Sequence, residues 1–457
     1  MGVRNRERRQ TKAKNRQRRA RARVTTGHAG HGHHGPDRTQ ISPADAVKAA
    51  VLFACQAYRP GVPSVEDPYV RALATVSESR DDMADLVDAA LIDLVNEQLA
   101  TAWRVGWQPA DIARVLRRHH TGLAGMMADG CMAAHVGTFE PTTVDECFRT
   151  QLAALGADAD QGAIAGFVER WMRRAGADRT TVIAAVIDLA SMLARAPGLP
   201  RLCPPPGQAS RAPRTRSGEG VDPKLLERVR ALLAKAESSE YGAEADSYTA
   251  KAQELMVRYS IDRALLDAGA GVTEEPGGIR IGLDNPYEAE KSLLLDQVAK
   301  ASRCTTVWSR HLGFVTVLGF PADLRAVELL YTSLLVQVTR AMLSEGSRRT
   351  KGGGSRTRTF RRSFLTAFAA RIGERLSGVT ESGIRDGAAH DSRLLPVLAG
   401  REQTVRQLAE KLFPQLTYDV RGMSWYDREG WALGTHAADV AALTAIPSVT
   451  GDHATGG

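Results

Sequence analysis

The sequence predicts a mainly α protein: an N-terminal helical bundle, a helical hairpin, and a small α+β C-terminal domain with a two- or three-stranded element. Three observations predict it. Apolar residues recur at helical spacing through residues 41–200. A second amphipathic stretch, 221–270, is broken in the middle at Ser238 to Gly242. Only two short runs, Cys304 to Ser309 and Phe314 to Gly319, have strand chemistry, and they flank a turn at His311–Gly313.

The elements run in order along the chain. Residues 1–40 hold no core-forming pattern and are expected to be disordered when unbound. The 41–200 region opens its clearest helix at Asp82, with Leu86, Leu91, Leu94, Val95, Leu99 and Trp103 on one face. Gly106 stops that helix, and Pro109 suits the first turn of the next. There Ile112, Val115 and Leu116 form the apolar side, with Arg114, Arg117 and Arg118 expected to be exposed. Phe167 and Trp171 mark a further helix, and Asp178 precedes another carrying Val182, Val186, Leu189 and Leu193. Residues 201–220 read as a stiff polar linker around Pro204 to Pro206. In the hairpin, Asp222 is a candidate cap before Pro223. Its first helix presents Leu225, Leu226, Val229, Leu232 and Leu233, its second Ala245, Tyr248, Ala252, Leu255, Met256 and Tyr259. So short a hairpin buries too little surface to stand alone and should pack on the C-terminal region. The 283–445 domain is expected to hold a helix from Glu288 to Ala301, the two strands, and a long helix opened by Pro321. A phenylalanine-rich helix carries Phe360, Phe364, Phe368, Ile372 and Leu376, with two more at 399–412 and 424–444. Residues 446–457 are expected to fray.

Charge is concentrated in one place. Residues 1–24 hold nine Arg and two Lys against one Glu, so they carry +10 of a chain whose net charge is +8, and the rest carries −2. A cationic segment on a near-neutral body is a local device for meeting polyanions. Arg4, Arg6, Arg8, Arg9, Lys12, Lys14, Arg16, Arg18, Arg19, Arg21 and Arg23 are therefore candidate phosphate contacts. An acidic protein, a membrane surface, or an inert solvated extension are the alternatives. A second basic run, Arg348, Arg349, Lys351, Arg356, Arg358, Arg361 and Arg362, contains no acid and leads into a helix. It is either a second phosphate grip or a solvated loop. The segment Gly106 to His120 has a superficial helix-turn-helix pattern, for which a corner in a bundle is the simpler account.

Other signals point to no chemistry. His28, His31, His33 and His34 lie among glycines without fixed geometry, so no metal site is assigned. His390 with Asp391, and His436 with Asp439, read as isolated structural pairs. Tyr418, Trp425, Tyr426 and Trp431 read as packing for the last helix. No HExxH, GxSxG, P-loop or dinucleotide fingerprint is present, and no cofactor is expected. Cys55, Cys131, Cys147, Cys203 and Cys304 are scattered without a CxxC pair, which fits reduced thiols in a cytoplasmic protein. No stretch approaches the ~18 uncharged apolar residues of a membrane helix. The best, Thr181 to Ala194, is short and interrupted by Asp188.

From Pro223 to Leu266 the chain resembles the domain-of-unknown-function family 2786. The carrying pieces are Leu233-Ala-Lys-Ala-Glu-Ser238, Glu244-Ala245 and Lys251-Ala-Gln-Glu-Leu-Met256. Residues from 283 onward resemble the companion domain that often accompanies such a hairpin. The resemblance implies a fold element and no reaction. Within it Lys235, Glu237, Glu244, Lys251, Gln253 and Met256 are the motif positions. They form either a polar rim around a small helical interface or a functional surface.

Two functional classes fit these features. One is a non-catalytic nucleic-acid-associated protein using the tail and the 348–362 run. The other is a protein-interaction scaffold, with an enzyme of unrecognised type as a third possibility.

Overall fold

The computed structural model describes residues 41–59, 62, 64–119, 122–209, 223–238, 242–270, 274–349, 354–416 and 427–440. The candidate tail arginines and lysines, the histidines at 28–34, Lys351, Asp222, Tyr418, Trp425 and Tyr426 lie outside them. The chain divides into two units, Met1–Ala46 and Val47–Gly457. In the first, Ser42 caps a helix start: its Oγ accepts from the Asp45 amide at 3.1 Å and donates to the Asp45 carboxylate at 2.7 Å.

The architecture is mainly α with a small antiparallel sheet. The first group of helices is α1 (Pro43–Ala57), α2 (Pro68–Ser79), α3 (Asp81–Arg104), α4 (Pro109–His119), α5 (Leu123–Gly137), α6 (Glu146–Leu155), α7 (Phe167–Ala175) and α8 (Arg179–Ala194). Aspartates start several of them. Asp67, Asp145 and Asp178 each accept backbone amides of the first turn with their side chains. The amphipathic faces of α2 to α8 meet in one core containing Leu73, Leu91, Trp103, Phe148, Trp171 and Ile187.

Asp88 is the polar exception in that core. It is 4% exposed and accepts the Val168 amide at 3.3 Å. Burial pushes its carboxyl up to about 6, against the pull of the Val168 and Phe167 amides and Arg179. The folded chain therefore holds a proton that the unfolded chain releases near pH ~3.9. Its stabilising effect is complete below pH ~4 and is lost as pH rises to about 6. Asp88→Asn should remove this loss. Its stability relative to the parent should rise by about 1–2 kcal/mol between pH ~4 and ~6. Thermal denaturation of both proteins across that range checks this, and a pH-independent difference would refute it.

The second group holds α9 (Pro223–Ser238), α10 (Gly242–Ala270), β1 (Gly277–Gly282), α11 (Glu288–Ala301), β2 (Thr305–Ser309), β3 (Phe314–Gly319), α12 (Pro321–Ser344), α13 (Thr357–His390), α14 (Leu394–Leu412) and α15 (Arg428–Val440). The sheet order is β1-β3-β2, both pairs antiparallel. β2 and β3 pair Thr305 with Leu318 through Ser309 with Phe314, the hairpin that the turn predicts. β1 pairs Gly277 with Gly319 through Gly282 with Phe314, and it begins before the expected start of the domain at 283. Its two leading glycines and central arginine hid it from a propensity reading.

The hairpin α9–α10 packs on the C-terminal elements, as its size requires. Val229, Leu233, Ala252 and Met256 enter a second core with Leu295, Val298, Val327, Leu334, Phe364 and Ile372. Ser260 Oγ donates to Asp323 Oδ1 at 2.6 Å, and Arg303 donates to the same oxygen at 2.8 Å, tying α10 to the start of α12. Phe360, Phe364, Phe368, Ile372 and Leu376 are all buried along α13, as their four-residue spacing predicts.

Two expectations are corrected. Among the described residues, α12 is the one helix long and apolar enough to cross a membrane by length and composition, rather than Thr181 to Ala194 being the best candidate. Leu330, Leu334 and Val338 of α12 line the second core, while Val336 and Leu343 are exposed. The described part of the supposed linker, residues 201–209, is not a spacer without core residues. Leu202 packs with Leu318 and Phe320, and Pro205 and Pro206 are buried. Proline and glycine content hid this, because the segment is held by backbone hydrogen bonds rather than by a periodic apolar face.

Candidate functional site

The basic run at 348–362 is built on a pinned loop. The Arg348 amide donates to Thr357 Oγ1 at 2.9 Å, Thr357 Oγ1 donates back to the Arg348 carbonyl at 3.1 Å, and Arg349 bridges Ser355. Helix α13 starts at Thr357 with no side-chain cap. Its first-turn amides and the positive end of its dipole are thus left for solvent or a ligand.

Acidic side chains, most of them from distant elements, neutralise half of the described arginines. Arg348 donates to Glu429 at 2.9 Å and to Glu345 at 2.8 Å, and stacks 4.6 Å over the Phe360 ring. Arg356 pairs with Asp427 at 3.0 Å and with Glu429. Arg362 donates to Glu290 at 2.6 Å. The remaining three, Arg349, Arg358 and Arg361, have no acidic partner among the described residues. Arg349 and Arg358 are exposed, and the buried Nε of half-buried Arg361 lacks any hydrogen bond. Arg358 and Arg361 are three apart on α13 and so share a side of the helix. The window free of acids is therefore a partly compensated patch, with three uncompensated guanidiniums at the amino end of a helix.

The motif residues of the hairpin separate into surface and interior. Lys235 lies 5.4 Å over the Tyr248 ring across the hairpin, and Lys251 pairs with Glu254 at 2.9 Å along α10. The Glu237 carbonyl accepts from Arg340 at 2.6 Å. Gln253 does not belong to a functional surface: it is 2% exposed and donates to the Leu376 carbonyl at 3.0 Å. Met256 is buried as well. The Glu244 side chain lies outside the described ones. Gln253 and Met256 are a helical step apart on the face that docks on α13, which reads the motif as packing chemistry.

Arg114 and Arg118 are not free on a recognition helix, which corrects their expected exposure. Arg114 donates to Asp284 at 2.6 Å, and Arg118 pairs bidentately with Glu288. Arg117 reaches Asp129 at 3.5 Å. Helix α4 thus faces the segment around β1 and α11 rather than open solvent. Beside it Arg280 of β1 is buried, donating to Asp111 at 2.5 Å, to the Gly106 carbonyl at 3.0 Å and to the Pro200 carbonyl at 2.6 Å. A cleft of about 250 Å³ lined by Asp111, Arg114, Arg117, Arg280 and Phe314 opens here. Each of its guanidiniums already has a carboxylate, so the cleft has no excess charge for an anion. Composition could not reveal this seam: strand alternation puts Arg280 on the face opposite Ile279 and Ile281, and only α4 and residues 197–209 packing there bury it.

The histidine pairs stay apart from any site. His390 Nδ1 lies 2.7 Å from the Asp386 carbonyl, while Asp391 pairs with Arg393. His436 is exposed, and Asp439 is taken by Arg371 at 2.5 Å. Among the described residues no group of three His, Cys, Asp or Glu side chains could hold a metal.

Residues 224–263, which span α9 and most of α10, match a family described as a protein of unknown function (DUF2786). No curated protein and no solved structure matches the chain.

Proposed function

We propose that this chain is a non-catalytic nucleic-acid-associated protein. The observation that carries the reading is the charge of +10 in residues 1–24 set against −2 in the rest. Phosphate neutralisation releases condensed counterions, and arginine-rich segments exploit it without needing a fold of their own. Arg349, Arg358 and Arg361 at the uncapped start of α13 support a second, weaker phosphate contact on the body. The chain would then act in the cytoplasm on DNA or RNA.

Replacing the eleven tail cations by glutamine should weaken binding to labelled duplex DNA and RNA at least ~100-fold at low salt. The slope of log affinity against log salt should flatten by ~0.9 for each phosphate that is no longer neutralised. Fluorescence anisotropy over a salt series measures both. Unchanged affinity and slope would overturn the tail reading. Arg358→Gln with Arg361→Gln should cost a further ~3–10-fold if the body contributes.

A second reading, a protein-interaction scaffold, is favoured by one feature. Leu52, Phe53 and Tyr69 are 49%, 49% and 42% exposed, and the two rings stack at 5.4 Å. An exposed aromatic pair of this kind suits a protein partner. Co-purification of a stoichiometric protein after nuclease treatment would favour the scaffold.

A further inference from the structure

Cys147 and Cys203 are distant in sequence and are linked in space through the side chains of Gln151 and Gln108. Cys147 is the second residue of α6. Cys203 lies on the strap of residues 197–209 that runs back over the first group of helices. The strap is fastened at both ends. Trp107 Nε1 donates to the Pro197 carbonyl at 2.7 Å, and the Leu199 amide donates to the Val105 carbonyl at 2.8 Å. Further on, the amides of Gly207 and Ala209 donate to the Thr143 carbonyl at 3.1 and 3.0 Å. Two glutamines join the sulfurs. Gln151 Nε2 lies 3.2 Å from Cys147 Sγ and 2.8 Å from Gln108 Oε1, and Gln108 Nε2 lies 3.2 Å from Cys203 Sγ. Gln108 is 5% exposed, whereas both cysteines are half-buried, so a small oxidant can reach them.

We infer that Cys147 and Cys203 are an oxidisable dithiol that closes to a disulfide when the oxidant is a hydroperoxide. Cys203 attacks first. Its sulfur bonds to the terminal peroxide oxygen, the O–O bond breaks, and an alcohol or water leaves with the thiol proton, giving a sulfenic acid. Cys147 Sγ then attacks that sulfur, the S–O bond breaks, and water departs with the second thiol proton. Two thiols are oxidised by two electrons and one peroxide is reduced. The order reflects the surroundings. The hydrogen bond to Cys203, and after it burial, pushes the Cys147 thiol up, which keeps it a proton donor. Each sulfur accepts from one glutamine amide, Cys203 from Gln108 and Cys147 from Gln151.

The other thiols lack this arrangement. Cys131 and Cys304 are buried, and burial pushes Cys131 up to about 12. Cys55 meets the Ser191 hydroxyl at 3.1 Å and serves as an internal control. Closure would bolt the strap to α6. Because Arg280 holds the Pro200 carbonyl of the same strap, the bond would also brace the seam to β1.

The full chain treated with hydrogen peroxide, digested without reduction and mapped by mass spectrometry, tests this. The expected product is a peptide pair joining Cys147 to Cys203, lighter by two hydrogens and reopened by a thiol reductant, with Cys55, Cys131 and Cys304 still alkylatable. The oxidised protein should melt ~5 °C higher. In Cys147→Ser the reaction should stop at a Cys203 sulfenic acid that a cyclic 1,3-dione labels. A link between chains, or Cys147 and Cys203 remaining as separate thiols while Cys55 oxidises, would overturn the proposal. An unlabelled Cys203 in Cys147→Ser would overturn the order of attack.

Discussion

Asp111→Ala is expected to destabilise the folded chain by about 3–5 kcal/mol. Its side chain and that of Arg280 are only 4% and 3% exposed, and they pair at 2.5 Å. Removing the carboxylate strands a guanidinium away from water, with its Nε already lacking a partner. The cost is the desolvation of an uncompensated charge, which exceeds the value of the hydrogen bond itself. Arg280→Ala should be comparably severe, because it frees Asp111 and leaves the Gly106 and Pro200 carbonyls unpaired. The double change Arg280→Met with Asp111→Leu should recover the part of the loss that comes from a stranded charge, while the Gly106 and Pro200 carbonyls stay unpaired. Urea denaturation of the parent, Asp111→Leu, Arg280→Met and the double variant gives the coupling energy. Additive losses would show that the pair is not a unit. The pair joins α4, the strap and β1, so the single variants should also separate one unfolding transition into two.

Gly434→Ala should cost about 3 kcal/mol for a single added methyl group. On α15, Gly434 and Gly430 lie against the backbone of α13. An added Cβ would sit closer than 3.0 Å to the Phe364 carbonyl oxygen at Gly434, and as close to that of Phe360 at Gly430. Neither neighbour is a flexible side chain, so α15 itself has to move. Its withdrawal uncovers Phe360 and Phe364, which are 0% and 1% exposed. The variant should lose its C-terminal helix to limited proteolysis, read as a fall in mass, before the rest unfolds. Gly400→Ala on α14 is the matched control. Its Cβ meets nothing within 4 Å, so removing helical glycine there should stabilise by about 0.5–1 kcal/mol. Equal effects at the two glycines would refute the close approach.

Helix α15 shows where local reading stopped. Its existence was legible between 424 and 444, and the helix spans Arg428–Val440. Gly430 and Gly434 are weak helix formers by themselves, and their role as a close crossing depends on the position of α13. The basic run shows the same limit from the other side. Seven cations without an acid between 348 and 362 read as a free patch. Glu290, Asp427 and Glu429 then arrive from other elements and, with Glu345 three residues upstream of Arg348, compensate Arg348, Arg356 and Arg362. Arg114 and Arg118 went the same way, claimed by Asp284 and Glu288, each 170 residues on. Among the described residues the candidate site thereby narrows to Arg349, Arg358 and Arg361; Lys351 and the tail lie outside them.

Periodicity by itself determined most helices, the β2–β3 hairpin, the segregation of charge into the tail and the family-like hairpin at 223–266. Each is a local property, since a face repeats every ~3.6 residues, a turn joins neighbours, and charge adds along the chain. Only the tertiary structure decided which charges cancel, where β1 pairs, that the strap packs on the body, and that Cys147 meets Cys203. Those outcomes depend on groups far apart in sequence sharing one low-dielectric space. There an unpaired charge or donor is costly, and its partner can come from any part of the chain.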